Sequence, residues 1–188
     1  MDYQPILNIA EICAAHYVED AVLSPGSRNA PLTYAFVRNQ KIKTYSISDE
    51  RSAAFVALGM SIKSQRPVVL ACTSGSAAFN YAPAVAEAYY EHVPLIIFTA
   101  DRPPEWIDQY DGQTINQLNI YGDHVKKSFN CPVDLSHKDA KWHLERIINE
   151  ALILASDGCK GPVHINIPFR EPFYPTDKKT KTVKQATE

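Results

Sequence analysis

The sequence predicts an α/β domain built on a mainly parallel sheet of about six strands, with helices on both faces. Three observations carry that prediction. The runs PVVLAC at 67–72 and PLIIFTA at 94–100 are apolar without alternation, as in strands buried on both faces. Segments with helical spacing of apolar residues separate such runs, and turn-forming residues punctuate the boundaries. With 188 residues, 45% of them hydrophobic and 21% charged, the chain has the make-up of one globular domain with a substantial core, which excludes a disordered or fibrous architecture.

In chain order, Ile6, Ile9, Ala10, Cys13 and Tyr17 recur at helical spacing, and AVLS at 21–24 reads as a strand ending in a Pro-Gly turn. Pro31 suits the first turn of a second helix, because a residue there needs no amide donor, and Leu32, Ala35 and Phe36 supply its apolar face. Lys43 to Ile47 reads as a strand. Asp49 is a fitting N-cap for a helix over about 50–63, with Phe55, Leu58 and Ile62 on one side. After the 67–72 strand, an alanine-rich helix is expected over roughly 75–91. The segment 101–123 has weak periodicity and reads as a loop with a short helix, of a length that is usually functional or mobile. Trp142, Ile147, Ile148, Ala151, Leu152 and Ala155 define a last helix, and VHINI at 163–167 a last strand. The domain is expected over 1–175, and the polar stretch 176–188 reads as a linker.

Charge and cysteine usage narrow the function classes. Nineteen basic against 21 acidic residues give a net charge of −2, so no global field draws the chain to nucleic acid or to an anionic membrane. Any bound anion must be held locally. The four cysteines form no CxxC pair and the six histidines no metal-ligand spacing, so a reducing, cytoplasmic setting is expected and neither a zinc site nor any other metal site is. The N-terminal MDYQPILN lacks a signal-peptide pattern, and no apolar run is long enough to suggest a membrane span.

Ligands of parallel sheets bind at the carboxyl ends of the strands, and four segments fall there: SPGSRNAPL from 24, SDERSA from 48, TSGSAAFN from 73 and TADRPPE from 99. Ser27 and Arg28 beside a Pro-Gly turn make either an anion site or an ordinary tight turn with a surface arginine. Glu50, opening a helix, is either a helix-end charge or a carboxylate that holds a proton on a ligand nitrogen. Arg102 is either a second carboxylate clamp or the partner of a nearby acid such as Asp101 or Glu105. TSGS is not a nucleophile elbow, and neither G-x-G-x-x-G nor a phosphate-loop signature occurs.

Taken together, SPGSRNAPL, DERSAAFVALGMS, TSGSAAFNYAPAVAEAYY, PLIIFTADRPPE and GPVHINIPFREPFY closely resemble, in order and spacing, the N-terminal domain of the 2-succinyl-5-enolpyruvyl-6-hydroxy-3-cyclohexene-1-carboxylate (SEPHCHC) synthases, thiamin diphosphate enzymes of menaquinone biosynthesis. The resemblance runs over about residues 5–174. It implies the pyrimidine-binding domain of the thiamin diphosphate fold, the first of three domains in a longer chain. It also implies a transferase that decarboxylates 2-oxoglutarate and adds the succinyl unit to isochorismate in a 1,4-addition. Carried over by motif, Glu50 is the glutamate facing N1' of the aminopyrimidine. Ser27, Arg28, Arg102 and Gln113 are substrate contacts, and Thr73, Ser74 and Asn80 are pocket residues on the cofactor's pyrimidine side. Gly112-Gln113, after DQYD, departs from the Asn-Gln of some family members, so the match at Gln113 rests on that residue alone. The resemblance places the diphosphate and its Mg²⁺ in a C-terminal domain, and implies a homodimer or homotetramer with an exposed surface for partner domains and no catalysis by this domain alone. Two other readings compete: a free-standing, non-catalytic anion-binding module, and another thiamin-dependent 2-oxoacid decarboxylase or carboligase.

Overall fold

The computed structural model describes residues 3–170. Its elements are α1 (Gln4–Ala15), β1 (Asp20–Leu23), α2 (Ala30–Arg38), β2 (Lys43–Ser46), α3 (Glu50–Ser64), β3 (Val68–Cys72), α4 (Ser76–Asn80), α5 (Ala82–Tyr90), β4 (Leu95–Asp101), β5 (Ser128–Asn130), α6 (Lys138–Ser156) and β6 (Val163–Pro168). Single 3-10 turns lie at Pro104–Trp106 and Gly122–His124. The proposed linker over 176–188 and the last residues of the expected domain lie outside the described residues.

All six strands are parallel, in the order β2-β1-β3-β4-β6-β5. Every residue of β3, β4 and β6 is buried, which explains the unbroken apolar runs. Along β3 and β4, Val69, Ala71, Ile96, Phe98 and Ala100 face one core with α1, α2 and α6, while Val68, Leu70, Cys72, Leu95 and Ile97 face another with α3, α4 and α5. Pro31 sits in the first turn of α2, and Asp49 caps α3 by accepting the Ser52 amide at 2.7 Å, both as the sequence predicts. Among the described residues no helix is long and apolar enough to cross a membrane.

Four expectations are corrected. The helix expected over 75–91 is two helices meeting at Tyr81, because Pro83 has no amide donor and its ring clashes with the carbonyl one turn back. On α3 the buried face is Ala53, Ala54, Ala57, Leu58 and Ser61, whereas Phe55 and Ile62 are each 46% exposed. Small residues let that helix approach the sheet closely. Trp142 stands 65% exposed on α6, and Tyr17, with a φ of 64°, has left the α1 helix. The three-residue edge strand β5 has no counterpart in the sequence reading, since Ser128, Phe129 and Asn130 are too few to show a period.

Candidate active site

The order β2-β1-β3 means that the chain leaves β1 in one direction to form β2 and returns past β1 to form β3. A crevice therefore opens between the carboxyl ends of β1 and β3, the switch point where such sheets bind ligands. Its walls are the Pro25-Gly26 turn after β1 and Thr73 after β3. They are so close that a Cβ on Gly26 would lie 2.4 Å from Thr73 Cβ, so only glycine fits there. Thr73 and Ser74 are buried, and Gly75 (φ 85°) turns the chain into α4.

Arg28 is not a surface arginine: it is 6% exposed, and its Nη1 donates to the Phe169 carbonyl at 2.8 Å, tying the turn after β1 to the end of β6. Ser27 beside it is exposed. Asn29 Nδ2 donates to the Ser24 carbonyl at 2.9 Å, while Asn29 Oδ1 is buried without a partner. Glu50 opens α3 just past the end of β2, half-buried and near enough for its charge to act on Cys72. Burial pushes the Cys72 thiol well up, so that sulfur is inert wall.

Arg102 follows β4. Its Nε lies 3.3 Å from Asp111 Oδ2, an ion pair without hydrogen-bond alignment, and its Nη2 donates to the Gly112 carbonyl at 3.0 Å. The acids named from the sequence are otherwise engaged: Asp101 Oδ1 accepts the Arg102 amide at 2.7 Å, and Glu105 pairs with Arg170. The guanidinium thus folds the 111–113 loop over the site. Gln113 is exposed with a φ of 54°, and its backbone lies against Gly75, whose Cβ, if present, would be 2.9 Å from Gln113 Cα. Asn80 is exposed at the end of α4, its carboxamide turned back on its own helix to Ser76. The fold therefore gathers Ser27, Arg28, Thr73, Ser74, Arg102 and Gln113 at one pole with Glu50, and leaves Asn80 at the rim.

Behind these residues runs a buried polar chain that the sequence reading missed. Ser128 Oγ donates to His164 Nδ1 (2.7 Å), His164 Nε2 to Thr99 Oγ1 (2.8 Å), Thr99 Oγ1 to Asn166 Oδ1 (2.9 Å), and Asn166 Nδ2 to Asp101 Oδ2 (2.8 Å). The Thr99 proton is committed to Asn166, which fixes His164 as the neutral tautomer protonated on Nε2. Gln117, 1% exposed, joins the chain from the loop. The signal in the sequence was polar residues inside runs otherwise apolar, Thr99 in PLIIFTA and His164 and Asn166 in VHINI.

Burial pushes His164 down to about 3, so it stays neutral in the fold while an unfolded chain takes the proton near 6.5. Acidification from 6.5 toward 3 therefore favours the unfolded state. Stability should fall there by up to about 1.4 kcal/mol per pH unit from this group. Asp101, raised by burial, takes its proton more readily when folded and so opposes the slope at the acid end. Urea denaturation across that range should show a flatter slope for His164→Gln than for the parent; parallel slopes would refute the assignment.

The family model for the thiamine pyrophosphate enzyme N-terminal TPP binding domain matches residues 8–120, from α1 through the Gln117 loop. The chain belongs to this family. As a TPP-binding domain it is similar to proteins named 2-succinyl-5-enolpyruvyl-6-hydroxy-3-cyclohexene-1-carboxylate synthase. It is 59% identical over 172 residues to that of Cytophaga hutchinsonii (92% of this chain, 31% of the relative). It is 45% identical over 179 residues to that of Phocaeicola vulgatus (95% and 32%) and 48% identical over 171 residues to that of Desulfotalea psychrophila (91% and 32%). The chain spans about a third of the length of these curated relatives.

The crevice of this TPP-binding domain suits an aminopyrimidine. A carboxylate stands at its edge, and Asn29, beside the turn that walls it, keeps a buried acceptor unmet. Among the described residues no group of three or more His, Cys, Asp or Glu is placed to hold a metal ion.

Proposed function

We propose that this chain supplies the pyrimidine side of the active site of a SEPHCHC synthase, which decarboxylates 2-oxoglutarate and adds the succinyl unit to isochorismate on the way to menaquinone. The observation that carries this reading is the convergence of Glu50, the Gly26–Thr73 crevice and two arginines at the carboxyl pole of a TPP-binding domain whose relatives carry that name. Thiamin diphosphate, when bound, supplies the electron sink for cleaving a 2-oxoacid. The chain's part is to position and polarise. Glu50 holds a proton at N1' of the aminopyrimidine. Thr73 and Ser74, buried after β3, line the pyrimidine side, with Asn80 at the rim. Arg28 and Arg102 orient substrate carboxylates, Arg28 with its fork anchored by Phe169 and Arg102 with its fork anchored by the 111–112 loop, while Ser27 and Gln113 add polar contacts.

The diphosphate and Mg²⁺ belong, on this reading, to residues beyond this chain, contributed across a homodimer or homotetramer. Phe55, Val56 and Ile62, on the side of α3 turned away from the sheet, and Phe79 on α4 are all exposed, and support a partner surface beside the site. Four unpaired thiols fit a cytoplasmic setting.

The two arginines favour this reading over a thiamin-dependent decarboxylase acting on a substrate with a single carboxylate. In the full-length protein, Arg28→Ala and Arg102→Ala should each raise the KM for 2-oxoglutarate or isochorismate by about 10- to 100-fold, the worth of a charge-assisted hydrogen bond, with a smaller change in kcat. Steady-state kinetics with both substrates checks this. Unchanged KM values in both variants would withdraw the substrate assignment.

A further inference from the structure

Gln117 lies in the loop between the 3-10 turns, and its side chain reaches into the protein. Its Oε1 accepts the Gly75 amide at 2.8 Å, on the crevice side of the site. Its Nε2 donates to the Ala100 carbonyl at 3.1 Å and to Asn166 Oδ1 at 3.0 Å, on the side of the β4 end that carries Arg102. All three hydrogen-bonding capacities that point inward are thus used. Asn166 is equally committed, since it accepts from Thr99 and Gln117 and donates to Asp101 and Asn130. Asp101 in turn holds the Arg102 amide. One carboxamide therefore bridges the turn after β3 and the end of β4, whose loops bear different parts of the site.

We propose that Gln117 is a positioning residue that sets the separation between the crevice wall at Thr73–Gly75 and the Arg102 end of β4. The proposal rests on the functional reading above. A buried network with every partner satisfied resists displacement, because moving either loop strands a desolvated polar group. The bridge also explains the left-handed Gly75: with φ at 85° its amide turns toward Gln117, and the absence of a Cβ admits the Gln113 backbone above it.

The test uses the full-length protein with Gln117→Glu and Gln117→Leu. The glutamate keeps the acceptor for Gly75 but loses both donors. It should leave affinity for thiamin diphosphate within about threefold and raise the KM for 2-oxoglutarate about tenfold, the worth of a buried hydrogen bond. That KM should fall back as pH is lowered and the new carboxyl gains a proton to donate. The leucine loses both sides and should weaken cofactor and substrate together. If both variants melt earlier yet keep cofactor affinity and KM within about twofold, a range below one hydrogen bond's worth, Gln117 is only structural and the proposal is overturned. If the parent protein does not turn over 2-oxoglutarate, the functional reading fails by itself. The bridge is then judged by hydrogen exchange at the Gly75 amide, which should be protected in the parent and in Gln117→Glu and fast in Gln117→Leu; unchanged protection in the leucine variant overturns it.

Discussion

Glu50→Gln in the full-length protein should lower kcat by about 10²-fold or more, with little change in melting temperature. The expectation of an intact fold comes from the local structure. Asp49, not Glu50, caps α3 through the Ser52 amide, so the helix keeps its start when Glu50 loses its charge. The remaining loss is the interaction of one carboxylate with the helix dipole, about 0.3–1 kcal/mol. The catalytic loss comes from chemistry that an amide cannot perform: the glutamine cannot take a proton and return it to a ring nitrogen. Steady-state kinetics, with the rate of hydrogen exchange at C2 of thiamin diphosphate, separates the two effects. Near-normal exchange in the glutamine variant would remove Glu50 from the catalytic role and return it to a helix-end charge.

A large structural effect should come from Gly75→Ala. The added Cβ would meet Gln113 Cα at 2.9 Å and the Gln113 carbonyl carbon and oxygen at 3.0 Å, all of them backbone that cannot swing aside. At φ 85° and ψ −149° an L side chain is also strained, at about 1–3 kcal/mol. Overpacking adds a similar amount, so a destabilisation of about 2–6 kcal/mol is expected, with weaker binding of thiamin diphosphate as the 112–117 loop lifts. The control lies in the same loop: a Cβ on Gly112 meets nothing within 4 Å, so Gly112→Ala should stay within about 0.5 kcal/mol. Equilibrium denaturation of the two variants decides the matter. Equal stabilities would show that the loop gives way freely and does not press on Gly75.

Much of the site was legible before the fold, because in a parallel sheet the loops after the strands meet at one pole. SPGSR, SDERS, TSGS and TADRPP each lie at the end of a strand, so their convergence follows from strand order and direction alone. What they touch was not legible. Arg102 pairs with Asp111, nine residues on, and not with the adjacent Asp101 or with Glu105, because the loop doubles back over the end of β4. Gln117 reads in sequence as one more polar residue in a polar loop. Its burial depends on Gly75 and Asn166, 42 and 49 residues away, being brought to it.

The sequence by itself determined the α/β alternation, the burial of the central strands, the α2 and α3 starts at Pro31 and Asp49, and the chemistry available after each strand. These are local: a proline, a cap or an unbroken apolar run acts within a few residues, and its effect is the same wherever the segment is placed. The tertiary structure alone decided which stripe of α3 turns inward, that Trp142 turns outward, that Ser128–Asn130 adds an edge strand, and which partners hold Arg28, Arg102 and Gln117. Periodicity tells which residues share a face, but not which face meets a close neighbour. On α3 the alanines won because only they let the helix lie against the sheet, and Phe55 and Ile62 were left outside.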